Sequence, residues 1–309
     1  RGGSEMKLEK EMFQPIGSDK DLSESMFTPS INYWQDAWRR LKKNRVAIAC
    51  MIFICVLTVC AIVMPMISPF NHEDIAFDHT NQWPDSEHIF GTDHLGRDLW
   101  CRVWVGARVS LLIALIAALV QSTIGIIIGG ISGFFGGKID TIIMRAADVI
   151  DSVPFLIYVT LAMMLMGSGI VPIIVAFAVT GWIRMARLVR GQTLQIKHLD
   201  YVMAAKGLGV SNLRIILRHV VPNVLGVIIV TLTMSIPSAI FTEAYLSYIG
   251  VGLQPPLTSW GQLANAGAAV MRTYPYQMIY PSVFISLTML SLQLLGDGLR
   301  DALDPKLRK

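Results

Sequence analysis

Charge is scarce in this chain. Asp, Glu, Lys and Arg make up 16% of its 309 residues, where a soluble domain carries roughly 25%. The deficit is concentrated in long runs with no charge at all, which excludes an ordinary soluble fold. Cysteine is also sparse. Cys50, Cys55 and Cys60 lie inside the first apolar run and Cys101 stands apart, so they read as small apolar groups, and no disulfide framework is expected. A phosphate-binding loop is missing. Gly136-Gly137-Lys138-Ile139 lacks both the leading Gly and the hydroxyl that cradle phosphate and magnesium. No Ser–His–acid set or zinc spacing suggests another chemistry. The chain is therefore read as having no catalytic residue, no metal site and no ATPase site of its own.

Apolar runs fill the space that charge leaves. They cover Val46 to Met64, Val109 to Phe135, Ser152 to Ile183, Val220 to Thr242 and Thr273 to Gly296. The third is too long for one crossing and is broken by Met166-Gly167-Ser168-Gly169, so it splits into two helices, the first beginning near Ile142. Each run is near or above the ~20 residues that cross about 30 Å of hydrocarbon. The expectation is an all-α polytopic membrane protein with six transmembrane helices.

Six crossings put both ends on one side. Lys and Arg number nine over 1–45, one over 134–142, five over 190–220 and four over 299–309, against two over 68–106 and one over 245–276. That bias places both termini in the cytoplasm of a multi-pass cell-membrane protein. No cleavable signal peptide is expected. The first apolar run follows about 45 polar residues without a small-residue cleavage site, as in a signal anchor.

The reading along the chain is a flexible cytoplasmic tail over 1–30, an amphipathic interfacial elbow over 31–45, a first span over 46–67 and an extracytoplasmic loop over 68–106. A five-span core over 107–298 follows, with a cytoplasmic loop at 199–223, and then a tail over 299–309. The first tail holds a short echo, Met12-Phe13-Gln14-Pro15 and Met26-Phe27-Thr28-Pro29. In the elbow, Ile31, Trp34, Trp38 and Leu41 recur at helical spacing beside Arg39, Arg40, Lys42, Lys43 and Arg45, which suits membrane lipid at the headgroup level. The outer loop is acidic and holds His72, His79, His88 and His94. It reads as a solvated loop that forms part of a vestibule or docks a partner.

Gly125, Gly129 and Gly133 share one helix face and permit close backbone approach. Arg145 and Asp148 read as a pair, and Asp151 as a candidate for lining the path. Glu243 either orients the Gly- and Pro-rich segment after it or meets a cationic substrate group, a pathway or gate role. Arg184, Arg187 and Arg190 read as headgroup contacts.

Between spans four and five runs Leu199-Asp200-Tyr201-Val202-Met203-Ala204-Ala205-Lys206-Gly207-Leu208-Gly209. A short helix capped by Asp200 is expected to end at Gly209. Ser211 then caps a second helix that carries Arg214 and Arg218 on one face, and Pro222 stands in the first turn of the next span. Ala204 and Ala205 offer almost no side chain, so a partner's groove can close on them.

This loop resembles the coupling motif of ABC-importer permeases: Glu-Ala-Ala, three residues, Gly, then a later apolar residue and Pro. Ala204, Ala205, Gly209 and Pro222 match in register, with Met203 where the motif has Glu. Phe90-Gly91-Thr92-Asp93-His94-Leu95-Gly96-Arg97-Asp98, Glu243-Ala244-Tyr245-Leu246-Ser247-Tyr248-Ile249-Gly250 and Gly296-Asp297-Gly298-Leu299-Arg300-Asp301-Ala302-Leu303-Asp304-Pro305 resemble the oligopeptide, dipeptide and nickel permeases. Within that group the chain is most similar to the C-type subunit of oligopeptide permeases. The resemblance implies a type I importer permease that passes oligopeptides, or alternatively dipeptides, nickel or glutathione. It implies a homologous second permease subunit, two cytoplasmic ATPase subunits that bind ATP and Mg, and an extracytoplasmic peptide-binding protein. This chain would bind no cofactor and no nucleic acid. The resemblance assigns ATPase coupling to Met203, Ala204, Ala205, Lys206, Gly207, Gly209 and Pro222. An ion-coupled secondary transporter, the rival class, would favour carboxylates near mid-bilayer and broken helices.

Overall fold

The computed structural model describes residues 33–303. The tail with its two Met-Phe echoes, Ile31 of the elbow and the stretch from Asp304 onward lie outside the described residues. Among those described, every regular element is helical, apart from one isolated bridge between Thr92 and Asp98.

Helix α1 (Tyr33–Lys43) turns Ala37 and Leu41 inward and leaves Trp34 and Trp38 exposed. Asn44 breaks it and caps α2 (Arg45–Ile67), its side chain accepting from the Ala47 amide at 3.1 Å. A long loop leads to α3 (Leu99–Phe135), which Asp98 caps by accepting from the Cys101 amide at 2.7 Å. At 37 residues α3 is about 55 Å long, well beyond the ~30 Å of hydrocarbon. Its first turns carry Arg102 and Arg108 and pair with Asp93 of the long loop through Arg102, which suits a place outside the lipid core. Gly136, at φ +67°, ends it.

Helices α4 (Gly137–Asp151) and α5 (Phe155–Met166) follow. Next come α6 (Ile170–Thr180) and α7 (Trp182–Ile196), which together make one apolar rod. The short α8 (Asp200–Gly207) leads into α9 (Asn212–Ile215), a π turn over Ile216–Val220 and α10 (Val221–Tyr248). Helix α11 (Trp260–Ala269) and α12 (Tyr276–Leu303) close the chain.

Five rods, 45–67, 99–135, 170–196, 212–248 and 276–303, are long and apolar enough to cross a bilayer. The sixth expected crossing is the pair α4 and α5, bent by 80°. The bend has a local cause. Pro154 cannot donate to a helical ladder and pushes Val153 out of helical geometry, so the helix stops at Asp151 and restarts at Phe155.

The tightest joint in the bundle is between α3 and α7. A Cβ on Gly125 would stand 2.7 Å from the Trp182 carbonyl, and one on Gly133 would stand 2.8 Å from the Arg190 carbonyl. At Gly129 the obstruction is the Ala186 backbone. Three glycines four residues apart thus let one helix lie directly on the backbone of the other. The two ends of the described chain also meet, the Tyr33 hydroxyl donating to the Leu303 carbonyl at 3.0 Å.

Gly129→Leu is expected to separate α3 from α7 and to cost on the order of 1–3 kcal/mol of overpacking. Thermal unfolding in detergent, followed by size-exclusion fluorescence, checks this. Leu112→Ala, on an exposed face of the same helix, is the control and should melt like the unmodified chain.

Candidate coupling site

The lower ends of α3, α4 and α7 converge beside α8. Lys197, at the end of α7, donates to the Gly133 carbonyl at 3.0 Å, and Ser132 donates to Asp140 of α4. Helix α8 leaves this junction after only Lys197, His198 and Leu199.

The turn between α8 and α9, a second elbow distinct from the interfacial one over 31–45, is built as a Schellman turn. Gly209 adopts φ +76°, its amide donates to Lys206 O at 3.0 Å, and the Val210 amide donates to Ala205 O at 3.1 Å. The accompanying apolar contact is present: Val210 packs with Val202, Ala205 and Ile215. Nothing crowds a Cβ at Gly209, so only its backbone conformation demands glycine.

Three expectations about this loop change. Leu199, not Asp200, is the cap residue, and Asp200 sits in the first turn, where a carboxylate suits the helix dipole. Ser211 precedes α9 without a side-chain cap bond. Ala205 does not face outward. It is buried against Val202 and Ile215, whereas Met203 (58% exposed), Ala204, Lys206, Gly207 and Leu208 (84%) form the outer surface. Pro222 follows the π turn, which widens the helix where the ring would meet the Arg218 carbonyl. On the same side, the Asn223 amide donates to the Tyr201 hydroxyl at 2.9 Å, tying α10 to the elbow.

Of the three arginines of α7, Arg187 and Arg190 have protein partners rather than headgroups alone, while Arg184 is exposed. Arg187 reaches Asp148 and Asp151 at 3.0 Å each, and Arg190 grips both oxygens of Asp140, with Nη2 at 2.6 Å from Oδ2. The expected pair of Arg145 with Asp148 is a looser 3.6 Å contact. Asp151 therefore lies exposed, ion-paired, one step before the bend.

Glu243 is fully buried near the far end of α10. Its two oxygens accept from Ser110 Oγ and Ser247 Oγ at 2.9 Å each. Those hydroxyls in turn accept from the amides of Trp260 at 3.3 Å and Leu253 at 3.1 Å. The carboxylate thus sits inside the chain, joining α3, α10 and the 249–260 segment, and does not open onto a surface.

The long loop is not simply solvated, contrary to expectation. Asp93 is buried and accepts from the Leu95 and Arg97 amides, while Arg97 Nε donates to it at 2.8 Å and Arg102 approaches to 3.1 Å. His88 pairs with Asp98 at 2.9 Å. Tyr276 and Gln277 of α12 bond the backbone of Gln82 and Thr92, and Phe90 stacks on Tyr280 at 4.0 Å. Sequence reading missed this because mutual pairing, which hydropathy does not register, is what lets these charges be buried.

Residues 125–309 match the family described as binding-protein-dependent transport system inner membrane component. Residues 32–84 match the N-terminal TM domain of oligopeptide transport permease C. The chain belongs to this family of permease components. Within it the chain is OppC-like. It is 44% identical to the oligopeptide transport system permease protein OppC of Bacillus subtilis, over 98% of this chain and 99% of that one. It is 48% identical to the dipeptide transport system permease protein DppC of the same organism, over 93% and 90%. The glutathione transport system permease protein GsiD of Pectobacterium atrosepticum is 39% identical over 95% of each. Among solved structures, the inward-facing MetNI methionine ABC transporter superposes with a TM-score of 0.55 at 18% identity, covering 67% of this chain and 96% of that one. That likeness establishes the fold, a type I ABC importer permease.

Burial alone would raise the Asp93 carboxyl, but Arg102 and Arg97 outweigh it and hold it below the ordinary carboxylate range. A depressed folded-state value contributes stability above the unfolded value of about 3.9, lost as pH falls through the folded one. The long loop should resist protease at pH 5 and open only below about pH 4. Asp93→Asn should open it at neutral pH. Limited proteolysis of the reconstituted protein across this pH range checks both.

Proposed function

We propose that this chain is one half of the membrane passage of an ATP-driven peptide importer, and that α8 is where ATP-driven movement enters it. Both termini and the elbow lie in the cytoplasm, and the 68–106 loop lies outside, as the Lys and Arg bias indicates. The partners are a homologous second permease subunit, two cytoplasmic ATPases that bind ATP and Mg, and an extracytoplasmic peptide-binding protein. The observation that carries this reading is the elbow. A rigid helix with a fixed stop presents Met203, Ala204, Lys206 and Gly207 outward on the side where the cationic loops gather.

Small and flexible side chains suit a partner's cleft. Met203 can adapt its shape, and Ala204 lets a wall approach the backbone. Where related permeases carry Glu, Met203 leaves packing rather than a salt link to hold the contact. A groove of about 560 Å³ beside the elbow, lined by Phe134, Phe135, His198, Met203 and Lys206, adds apolar surface for the same contact.

Oligopeptides are the proposed cargo, supported by the full-length similarity to the B. subtilis OppC and by the match of the first span and loop to the OppC N-terminal domain. Dipeptides are the second reading, supported by the higher identity to DppC. Co-purification of the complex, followed by uptake competition between a labelled tripeptide and unlabelled dipeptides, separates the two.

Ala204→Arg should lower the recovery of co-purified ATPase at least tenfold while leaving membrane insertion unchanged. Ala205→Arg should instead disrupt the chain's own Val202–Ile215 packing and lower its thermal stability. Undiminished ATPase recovery with Ala204→Arg would remove the assigned contact.

A further inference from the structure

The three carboxylates of α4 and two arginines of α7 form a set that the coupling motif does not include. Asp140, Asp148 and Asp151 lie on one side of α4, at intervals of eight and three residues. Arg190 takes Asp140, and Arg187, one turn earlier in α7, takes Asp148 and Asp151. The numbers rise along one helix as they fall along the other, so the helices run antiparallel, clasped at two levels.

The attachment of α4 differs in kind from that of α7. Helix α7 lies on the α3 backbone through the glycines. Helix α4 is held by side chains instead: Ala147 against Trp182, Ile183 and Ala186 with Ile150 beside Ile124 and Ile128 of α3, the Ser132–Asp140 hydrogen bond to α3, and the clasp to α7. Beyond Asp151 it bends by 80° into α5. At its other end, α7 runs through Lys197 into α8. The clasp therefore lies on the short mechanical route between the elbow and the bent crossing. The outer level is exposed, with Arg187 at 46%, so it is weak and re-formable. The inner level is bidentate and more enclosed, hence firmer.

We propose that Arg187 and Arg190 are positioning residues that make α4, and with it the bent crossing, follow the elbow when the ATPases close. This rests on the coupling reading of α8, and the test separates the two ideas. In the reconstituted complex, with the four native cysteines replaced, spin labels are placed at Ile62→Cys on α2, Leu199→Cys beside α8 and Ile142→Cys on α4. Distances are measured without nucleotide and after trapping with ATP and vanadate.

In the otherwise unmodified chain, both the 62–199 and the 62–142 distances should change on trapping. With Arg187→Ala and Arg190→Ala together, the 62–199 change should persist while the 62–142 change falls below half. The exchange Asp140→Arg with Arg190→Asp, with Arg187 intact, should restore it. If α4 still follows the elbow in the double variant, or if the exchange restores nothing, the clasp has no positioning role. If 62–199 does not change even in the unmodified chain, the coupling reading of α8 fails instead. Should the double variant not accumulate, Arg187→Gln and Arg190→Gln singly carry the same comparison.

Discussion

The close approach of α3 and α7 is the constraint on which the rest depends. Three glycines remove the side chains that would otherwise hold the two backbones apart. Once those helices lie together, Lys197 can reach the end of α3, and α8 emerges at a fixed place. The elbow's orientation follows from its own cluster. Val202, Ala205, Val210 and Ile215 turn inward, and Met203, Ala204 and Lys206 are left outside. The turn thus has a stiff root and an accessible tip, as the proposed lever needs.

At the opposite end the chain is stiffened by polar groups. Buried charge is costly unless paired and hydrogen-bonded. Asp93 meets two arginines and two amides, Asp98 meets His88 and a helix N-terminus, and Glu243 meets serine hydroxyls that hold the next segment in turn. Removing any one partner would leave another buried group unsatisfied, so these networks act as units. They join the long loop, α3, α10, α11 and α12 into one body on the far side from the elbow.

Much of this was legible in residue order. The crossings appear as runs without charge, the stop of α8 as Gly209, and the α3 face as glycines four apart. What was not legible depends on rotation or on distant partners. Two adjacent alanines look alike in sequence, yet a turn of about 100° sends Ala204 outward and Ala205 inward. Arg187 meets Asp151 across 36 residues and Arg190 meets Asp140 across 50, where nearest-neighbour reasoning had paired Arg145 with Asp148. Val153-Pro154 lies inside the run read as one helix from near Ile142, and neither residue specifies an 80° bend. The loop over 68–106 looked solvated because its acids outnumber its bases, and only the fold turns Arg97 and Arg102 onto Asp93 and brings Tyr276 and Gln277 to the loop backbone.

We propose that the outward face of α8 is the surface the ATPases hold. Single cysteines at positions 202 to 206, joined to the native complex by a short thiol-to-amine cross-linker, test it most directly. Met203→Cys, Ala204→Cys and Lys206→Cys should yield adducts with an ATPase subunit, whereas Val202→Cys and Ala205→Cys should yield none. Adducts confined to 202 and 205, or no ATPase adduct at any of the five positions, would contradict the account.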